Sequence, residues 1–149
     1  MTATGHAILG TIIAAKVGNP ALAIPIALAS HVAADLFPHW DVGTNASKKK
    51  IKNLWICASI DVLLGFLISF SILFFLFPQT DLFYAFLIII VSQSFDWITA
   101  PYYFLKLNIP PFSWMYKLQK TFDNPLDKPW GIINQAGILF LITALAKIF

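Results

Sequence analysis

The chain has 149 residues, of which 58% are hydrophobic and only 11% are charged, and ten Lys against seven Asp give a net charge of +3. Polar residues are too sparse for a disordered chain, and the lone cysteine, Cys57, excludes a disulfide scaffold. The lysines form no basic stripe, which excludes a nucleic-acid-binding module. The remaining class is an integral membrane protein with a single domain over residues 1–149.

Apolar segments bounded by Pro, Gly, Lys and Asp predict five membrane-spanning helices, of which the first two form a short hairpin. A further segment between the fourth and fifth places Phe112, Met115, Leu118 and Phe122 at helical spacing, which is typical of an interfacial amphipathic helix. We therefore expect an all-α membrane protein with about five transmembrane helices plus one interfacial helix. The five predicted spans are 3–17, 20–37, 52–77, 82–107 and 130–148.

The lysines are distributed unevenly between the predicted loops. Eight lie in the loops after the second and fourth helices, which share one side of a five-span chain, and only Lys16 and Lys147 lie on the other. The positive-inside rule then puts the N-terminus and both loops in the cytoplasm. We expect a multi-pass protein of the cytoplasmic (inner) membrane, with membrane lipid as its partner and no nucleic acid. The eight residues are Lys48, Lys49, Lys50, Lys52, Lys106, Lys117, Lys120 and Lys128.

Three aspartates, Asp35, Asp61 and Asp96, lie inside the apolar helices, where an unpaired carboxylate costs several kcal/mol. His31 and Asp35 are four residues apart and so share one helix face. A rise of about 1.5 Å per residue, counted from the cytoplasmic helix ends, places the three aspartates, His31 and His6 at a similar depth in the membrane. Imidazole and carboxylate ligands suit Zn²⁺, Mn²⁺ or Fe²⁺. We predict a site for one or two divalent transition metal ions, Zn²⁺ first among them, with the ligands His6, His31, Asp35, Asp61 and Asp96.

Two more polar residues follow the second helix. Pro38 ends that helix, so His39 and Asp41 belong to a turn that can fold back over the helix end. We predict that His39 and Asp41 act there as general acid and base, or that they add ligands to the metal.

Two segments resemble a known family. Residues 2–6 read Thr-Ala-Thr-Gly-His, and residues 30–41 read Ser-His-Val-Ala-Ala-Asp-Leu-Phe-Pro-His-Trp-Asp. They resemble the YdjM-like family of predicted membrane-bound metal-dependent hydrolases, in which T-x-x-G-H and S-H-x-x-x-D recur, and His6, His31 and Asp35 match those positions. The family's P-D-x-D-H and H-R-G-x-T-H-S motifs have no counterpart here. A looser similarity to zinc-dependent phospholipases C implies a phosphoester substrate.

Three functions are compatible with the sequence. The first is a metal-dependent hydrolase that acts at the cytoplasmic leaflet on a lipid-linked phosphoester, where a metal would polarise the phosphoryl oxygen and activate water. The second is a metal or proton transporter, because intramembrane acids often mark ion paths. The third is a non-catalytic assembly or lipid-organising protein whose polar residues hold the helices together. We expect the hydrolase, because the histidines and aspartates of the apolar helices lie at one depth, and no further ionisable residue leads from them to the outer face as an ion path would require.

Overall fold

The computed structural model describes the backbone of residues 1–149 and every side chain except that of Ser47. Within this described chain, seven α-helices and a short 3-10 turn are the regular elements, as the predicted all-α class requires. The helices are α1 (Ala3–Lys16), α2 (Pro20–Leu36), α3 (Ile51–Leu76), α4 (Leu82–Ser92), α5 (Ser94–Leu105), α6 (Phe112–Phe122) and α7 (Trp130–Ile148).

Helix α1 lies at the centre of the bundle. It packs most extensively against α3 and α4, and it also contacts α2 and α7. Small residues allow the close approach. A Cβ at Gly10 would lie 3.0 Å from the Ile89 backbone, and a Cβ at Gly65 would lie 3.1 Å from the Thr4 backbone. These glycines bring the first turns of α1 against α3 and α4, so His6 is fully enclosed.

Fewer helices are long and apolar enough to cross a bilayer than the five that the sequence predicts. Helices α3 and α7 qualify alone, and α4 with α5 qualifies only as a pair bent by 51°. Helix α1 has 14 residues and α2 has 17, or about 21 and 26 Å at 1.5 Å per residue. Both are shorter than a hydrocarbon core of about 30 Å. The prediction of five spans is therefore corrected to two, or three with the bent pair.

The predicted helix over 82–107 is in fact two helices. The chain leaves the helix at Gln93, and α5 resumes at Ser94 in a new direction. The apolar pattern continues through the break, so it gave no sign of one. The ends of the other four predicted helices agree with the structure to within a residue, α5 ends two residues before the predicted end at 107, and the amphipathic segment forms α6.

The lysine-rich loops meet at one end of the bundle. Lys49 and Lys128, one from each loop, both lie over the ring of Trp40. At the other end, Lys16 and Lys147 both lie over the ring of Phe77. These contacts place the two lysine-rich loops at one end and Lys16 with Lys147 at the other, so the charge asymmetry survives the corrected number of spans.

Large apolar side chains are exposed around the bundle. Phe74 and Phe75 on α3 are 73% and 75% exposed, and Phe140 on α7 is 77% exposed. Side chains of this kind suit contact with lipid, and they belong to the helices long enough to span. The exposed apolar surface and the helix lengths together are consistent with membrane association.

The segment after α6 is paired with the turn after α2. The His39 N–H donates to the Asn124 carbonyl at 3.3 Å, and the Leu126 N–H donates to the His39 carbonyl at 2.6 Å. The Asn124 N–H donates to the Asp35 carbonyl at 2.9 Å. A Cβ at Gly131 would collide with the Leu126 backbone, so glycine at this position allows the first turn of α7 to pack against the segment that follows α6. These contacts fix the end of α6 against the end of α2.

A candidate metal centre at the lysine-rich end

The helix break at Gln93 orients His31. The last carbonyls of a helix have no donor within it, and the Ser92 carbonyl accepts a hydrogen bond from His31 Nδ1 at 2.7 Å. A carbonyl only accepts, so the imidazole proton lies on Nδ1. Nε2 of this fully buried ring is then the free coordinating nitrogen.

His31 Nε2 faces two carboxylates. It lies 3.3 Å from Asp35 Oδ2 and 3.7 Å from Asp96 Oδ1. The side-chain amide of Gln119 on α6 donates to this nitrogen at 3.3 Å and to Asp96 Oδ1 at 3.0 Å. The Gln119 amide thus supplies hydrogen bonds to these acceptors, but it carries no charge to balance the two carboxylates, which a metal ion would do.

His6 reaches the same carboxylates from α1. Its ring stacks on His31 with a centroid separation of 3.7 Å and an interplanar angle of 8°. Its Nε2 lies 3.2 Å from Asp35 Oδ1 and 3.9 Å from Asp96 Oδ2. Among the described residues neither ring nitrogen of His6 has an aligned hydrogen-bond partner. Buried polar groups are normally paired, so a buried imidazole without a hydrogen-bond partner at this position is a candidate metal ligand.

We call His6, His31 and Asp96 the helical group. Each offers one ligand atom, and these three atoms lie within 4.8 Å of one another. Asp35 lies beside both imidazoles, so the structure brings together four of the five predicted metal ligands. The amino group of Met1 also contacts Asp35 Oδ1. Two imidazoles with two carboxylates form a donor set that fits Zn²⁺ or a similar ion.

A second set of donors lies beside the first. We call His39, Asp41 and Asp123 the turn group, because they lie in the segments that follow α2 and α6. Their ligand atoms also lie within 4.8 Å of one another. His39 Nε2 is 3.4 Å from Asp123 Oδ1 and 3.9 Å from Asp35 Oδ1. The predicted acid and base residues therefore adjoin the helical group through Asp35.

Asp123 is held in its ionised form. Burial raises the pKa of its carboxyl, but contacts with His39 and Lys120 outweigh burial and lower the pKa below its ordinary value. The Lys120 ammonium donates to Oδ2 at 2.5 Å, while Oδ1 faces His39. The carboxylate is therefore negative at neutral pH, with one oxygen directed at the cluster.

Asp61, the fifth predicted ligand, belongs to neither group. Its carboxylate accepts hydrogen bonds from the Ala3 N–H at 2.7 Å, the Thr4 N–H at 3.2 Å and the Thr4 hydroxyl at 2.7 Å. Asp61 thus caps the N-terminus of α1 from a neighbouring helix, where a negative charge is favourable. These bonds explain its half-buried position without an ion, and its role as a ligand stays a prediction.

Two residues of the cluster were not identified from the sequence. Gln119 and Asp123 both come from α6 and its C-terminal end, which the amphipathic pattern marks only as an interfacial helix. The signal for Asp123 is weak, because a carboxylate beside Lys120 is usual on a solvated helix face. Their roles depend on how α6 folds back against α2.

A cavity of about 610 Å³ adjoins the cluster. The carboxylates of both groups and of Asp35 line it, and the Asp96 carboxylate is 37% exposed. The rest of its lining is mostly apolar and comes largely from α3 and α5, including Leu54, Val62, Leu63, Trp97, Phe104 and Leu105. A cavity of this size accommodates a small ligand or part of a lipid.

No protein-family model, curated protein or solved structure matches the chain. The resemblance to the YdjM-like family therefore stays a prediction, and the function is argued from the site.

Proposed function

We propose that the protein is a membrane-embedded, metal-dependent hydrolase that acts on a lipid-linked phosphoester. The observation that carries this proposal is the cavity, because the same space is lined by the carboxylates of a candidate metal centre and by the apolar side chains of α3 and α5. A substrate that fills it has a polar head for the metal and an apolar chain for the helices. A phosphate ester of a long-chain alcohol or a diacylglycerol has both parts.

Each residue has a defined part in this proposal. His6, His31, Asp35 and Asp96 would hold the ion, which supplies Lewis-acid activation of a phosphoryl oxygen and of water. Gln119 fixes the Asp96 carboxylate by donating to Oδ1. Asp41 lines the cavity, and its Oδ1 is held by the Thr44 N–H and hydroxyl at 2.5 and 2.9 Å. A carboxylate fixed in this way can accept the proton of an attacking water.

The test compares substrates that differ only in chain length. We expect purified protein loaded with Zn²⁺ to release phosphate from a long-chain phosphate monoester in mixed micelles, and far more slowly from a short-chain one. Ala58→Phe should fill the cavity and raise KM for the long-chain substrate, because Ala58 lines it. Leu67→Phe is the matched control, because Leu67 is 65% exposed on the same helix and outside that lining. Equal turnover of both substrates contradicts the lipid specificity.

A second candidate function is a non-catalytic assembly protein. The contact of the Met1 amino group with Asp35 favours it, as do the hydrogen bonds from Gln119, because these donors partly neutralise the cluster without an ion. In that case chelator has no effect on thermal stability. The hydrolase requires that chelator lower it.

We also propose that the lysine-rich end faces the cytoplasm of a cell with an inner membrane, so that the site opens toward the inner leaflet. The support is the separation of eight lysines from two. In a chain with Cys57 replaced by Ser, a cysteine at position 45 should react only from the inside and one at position 79 only from the outside. Labelling of position 45 from the outside would reverse the orientation.

A further inference from the structure

In the turn after α2, the backbone and Nδ1 of His39 are held by hydrogen bonds, and Nε2 is not. Its backbone is held by Asn124 and Leu126, and its Nδ1 donates to the Phe37 carbonyl at 2.7 Å. A proton therefore lies on Nδ1, which leaves Nε2 as the nitrogen that can bind a metal ion. The residue is fully buried, so water does not replace a missing partner for Nε2.

His39 Nε2 is directed at negative charge. Asp123 Oδ1 lies at 3.4 Å and Asp35 Oδ1 at 3.9 Å. Among the described residues this nitrogen has no hydrogen-bond partner. The carboxylate oxygens only accept, so either a proton on Nε2 or a metal ion must lie between this nitrogen and the two carboxylates, and a metal ion binds all three atoms at once. The Lys120 ammonium contacts the other oxygen of Asp123, Oδ2.

Asp35 lies between the two groups. One of its oxygens, Oδ1, is 3.2 Å from His6 Nε2 and 3.9 Å from His39 Nε2, while Oδ2 is 3.3 Å from His31 Nε2. A single carboxylate thus adjoins all three histidines of the chain. Carboxylates shared in this way are common where two metal ions cooperate on a phosphoester.

We infer that the turn group is a second binding site for a divalent transition metal ion, with Asp35 as the carboxylate shared between the two ions. The ligands of the second ion are His39 Nε2, a carboxylate oxygen of Asp41 and Asp123 Oδ1. The inference rests on the metal centre of the proposed function but not on its catalytic use. It takes up the second role predicted for His39 and Asp41, that of added ligands, and Asp41 serves as the base only in a chain that holds a single ion.

The experiment measures how many ions bind. The purified full-length chain is stripped with chelator, dialysed against increasing Zn²⁺ and examined by elemental analysis. We expect two ions per chain for the wild type and one for Asp123→Asn and for His39→Asn. Asparagine at position 39 can still donate to the Phe37 carbonyl, so the turn is preserved while Nε2 is lost. Circular dichroism of both variants checks that they are folded.

Matched controls separate the second site from general loss of charge. Asp81→Asn makes the same chemical change at the N-terminus of α4, where asparagine is also a good helix cap, and it should keep two ions. Lys120→Met removes the neighbouring ammonium and should also keep two. One ion in the wild type, or two in both His39→Asn and Asp123→Asn, overturns the inference. Two ions in a wild type that releases no phosphate from any lipid ester instead overturns the proposed function alone.

Discussion

The helical group and the turn group contain the same kinds of ligand, but the fold assembles them differently. His6 and His31 project from two packed helices, and their stacked rings are set by the close contact of α1 with its neighbours. His39 and Asp123 lie in irregular segments that are joined by backbone hydrogen bonds between the ends of α2 and α6. The helical group therefore depends on helix packing, and the turn group depends on the docking of α6.

This difference implies that a substitution can disrupt the geometry of one group and leave the other intact. Substitutions that release α6 should disturb the turn group first, since Asp123 follows that helix directly. The helical group keeps three ligands from α1, α2 and α5 without α6. Among the described side chains, Asp35 alone adjoins the histidines of both groups, so it connects their behaviour.

The largest effect is expected for Asp35→Asn. The amide keeps the shape of the side chain but loses the charge that both groups share, so metal content should fall below one ion per chain. Turnover of a lipid phosphoester should fall by more than about 100-fold, since loss of an outer-shell partner alone costs 10- to 100-fold. Elemental analysis and phosphate release provide the two readouts. A variant that retains both ions contradicts the shared position of Asp35.

His31→Ala should remove the ion of the helical group and abolish turnover. Because His31 and Asp35 act on the same ion, adding Asp35→Ala to His31→Ala should cost little further activity. Steady-state kinetics of the two single variants and the double variant test this. Independent, multiplying losses would indicate that the two residues serve different functions.

Gln119→Glu distinguishes a cation from hydrogen-bond donors at the helical group. The new carboxylate would lie beside Asp96 and His31, where Gln119 now donates. With Zn²⁺ present it adds a ligand, and the affinity for Zn²⁺ should rise several-fold. In chelator it adds repulsion, and the melting temperature should fall below that of the wild type. A fall of equal size with and without Zn²⁺ would favour the metal-free assembly protein.

The smallest effect is expected for Asp61→Asn. Asparagine keeps an oxygen that accepts from the first turn of α1, so the free energy of unfolding should change by about 1 kcal/mol or less. The zinc content should stay at the wild-type value, because the Asp61 carboxylate is occupied by Ala3 and Thr4. Zinc analysis and thermal melting check the two expectations. Loss of zinc on this substitution would instead confirm the predicted role of Asp61 as a ligand.

The sequence predicts the helical group for physical reasons that act locally. The spacing of His31 and Asp35 fixes them on one face of α2, and the cost of a carboxylate in an apolar helix marks Asp96 as needing a partner. Asp61 lies at the same depth as these residues, but its depth along the helix does not determine which neighbouring helix its side chain contacts. Asp61 is directed toward the start of α1 instead.

The sequence predicts two of the three residues of the turn group. His39 and Asp41 are marked by Pro38, which ends α2 and forces a turn. Asp123 is brought to His39 by the pairing of two segments more than 80 residues apart, and no local pattern encodes that pairing. The break at Gln93 was missed for a similar reason, because the carbonyl it frees is used by His31 on another helix.

Elemental analysis of the wild-type protein, purified without chelator, shows whether the cluster holds a divalent transition metal ion. We expect at least one such ion per chain, lost on dialysis against a strong chelator. At a free Zn²⁺ concentration of 100 times Kd, restoring a single ion should stabilise the fold by about 2.7 kcal/mol. A wild-type chain that contains no stoichiometric metal, and whose melting temperature is the same with chelator and with Zn²⁺, would contradict this expectation.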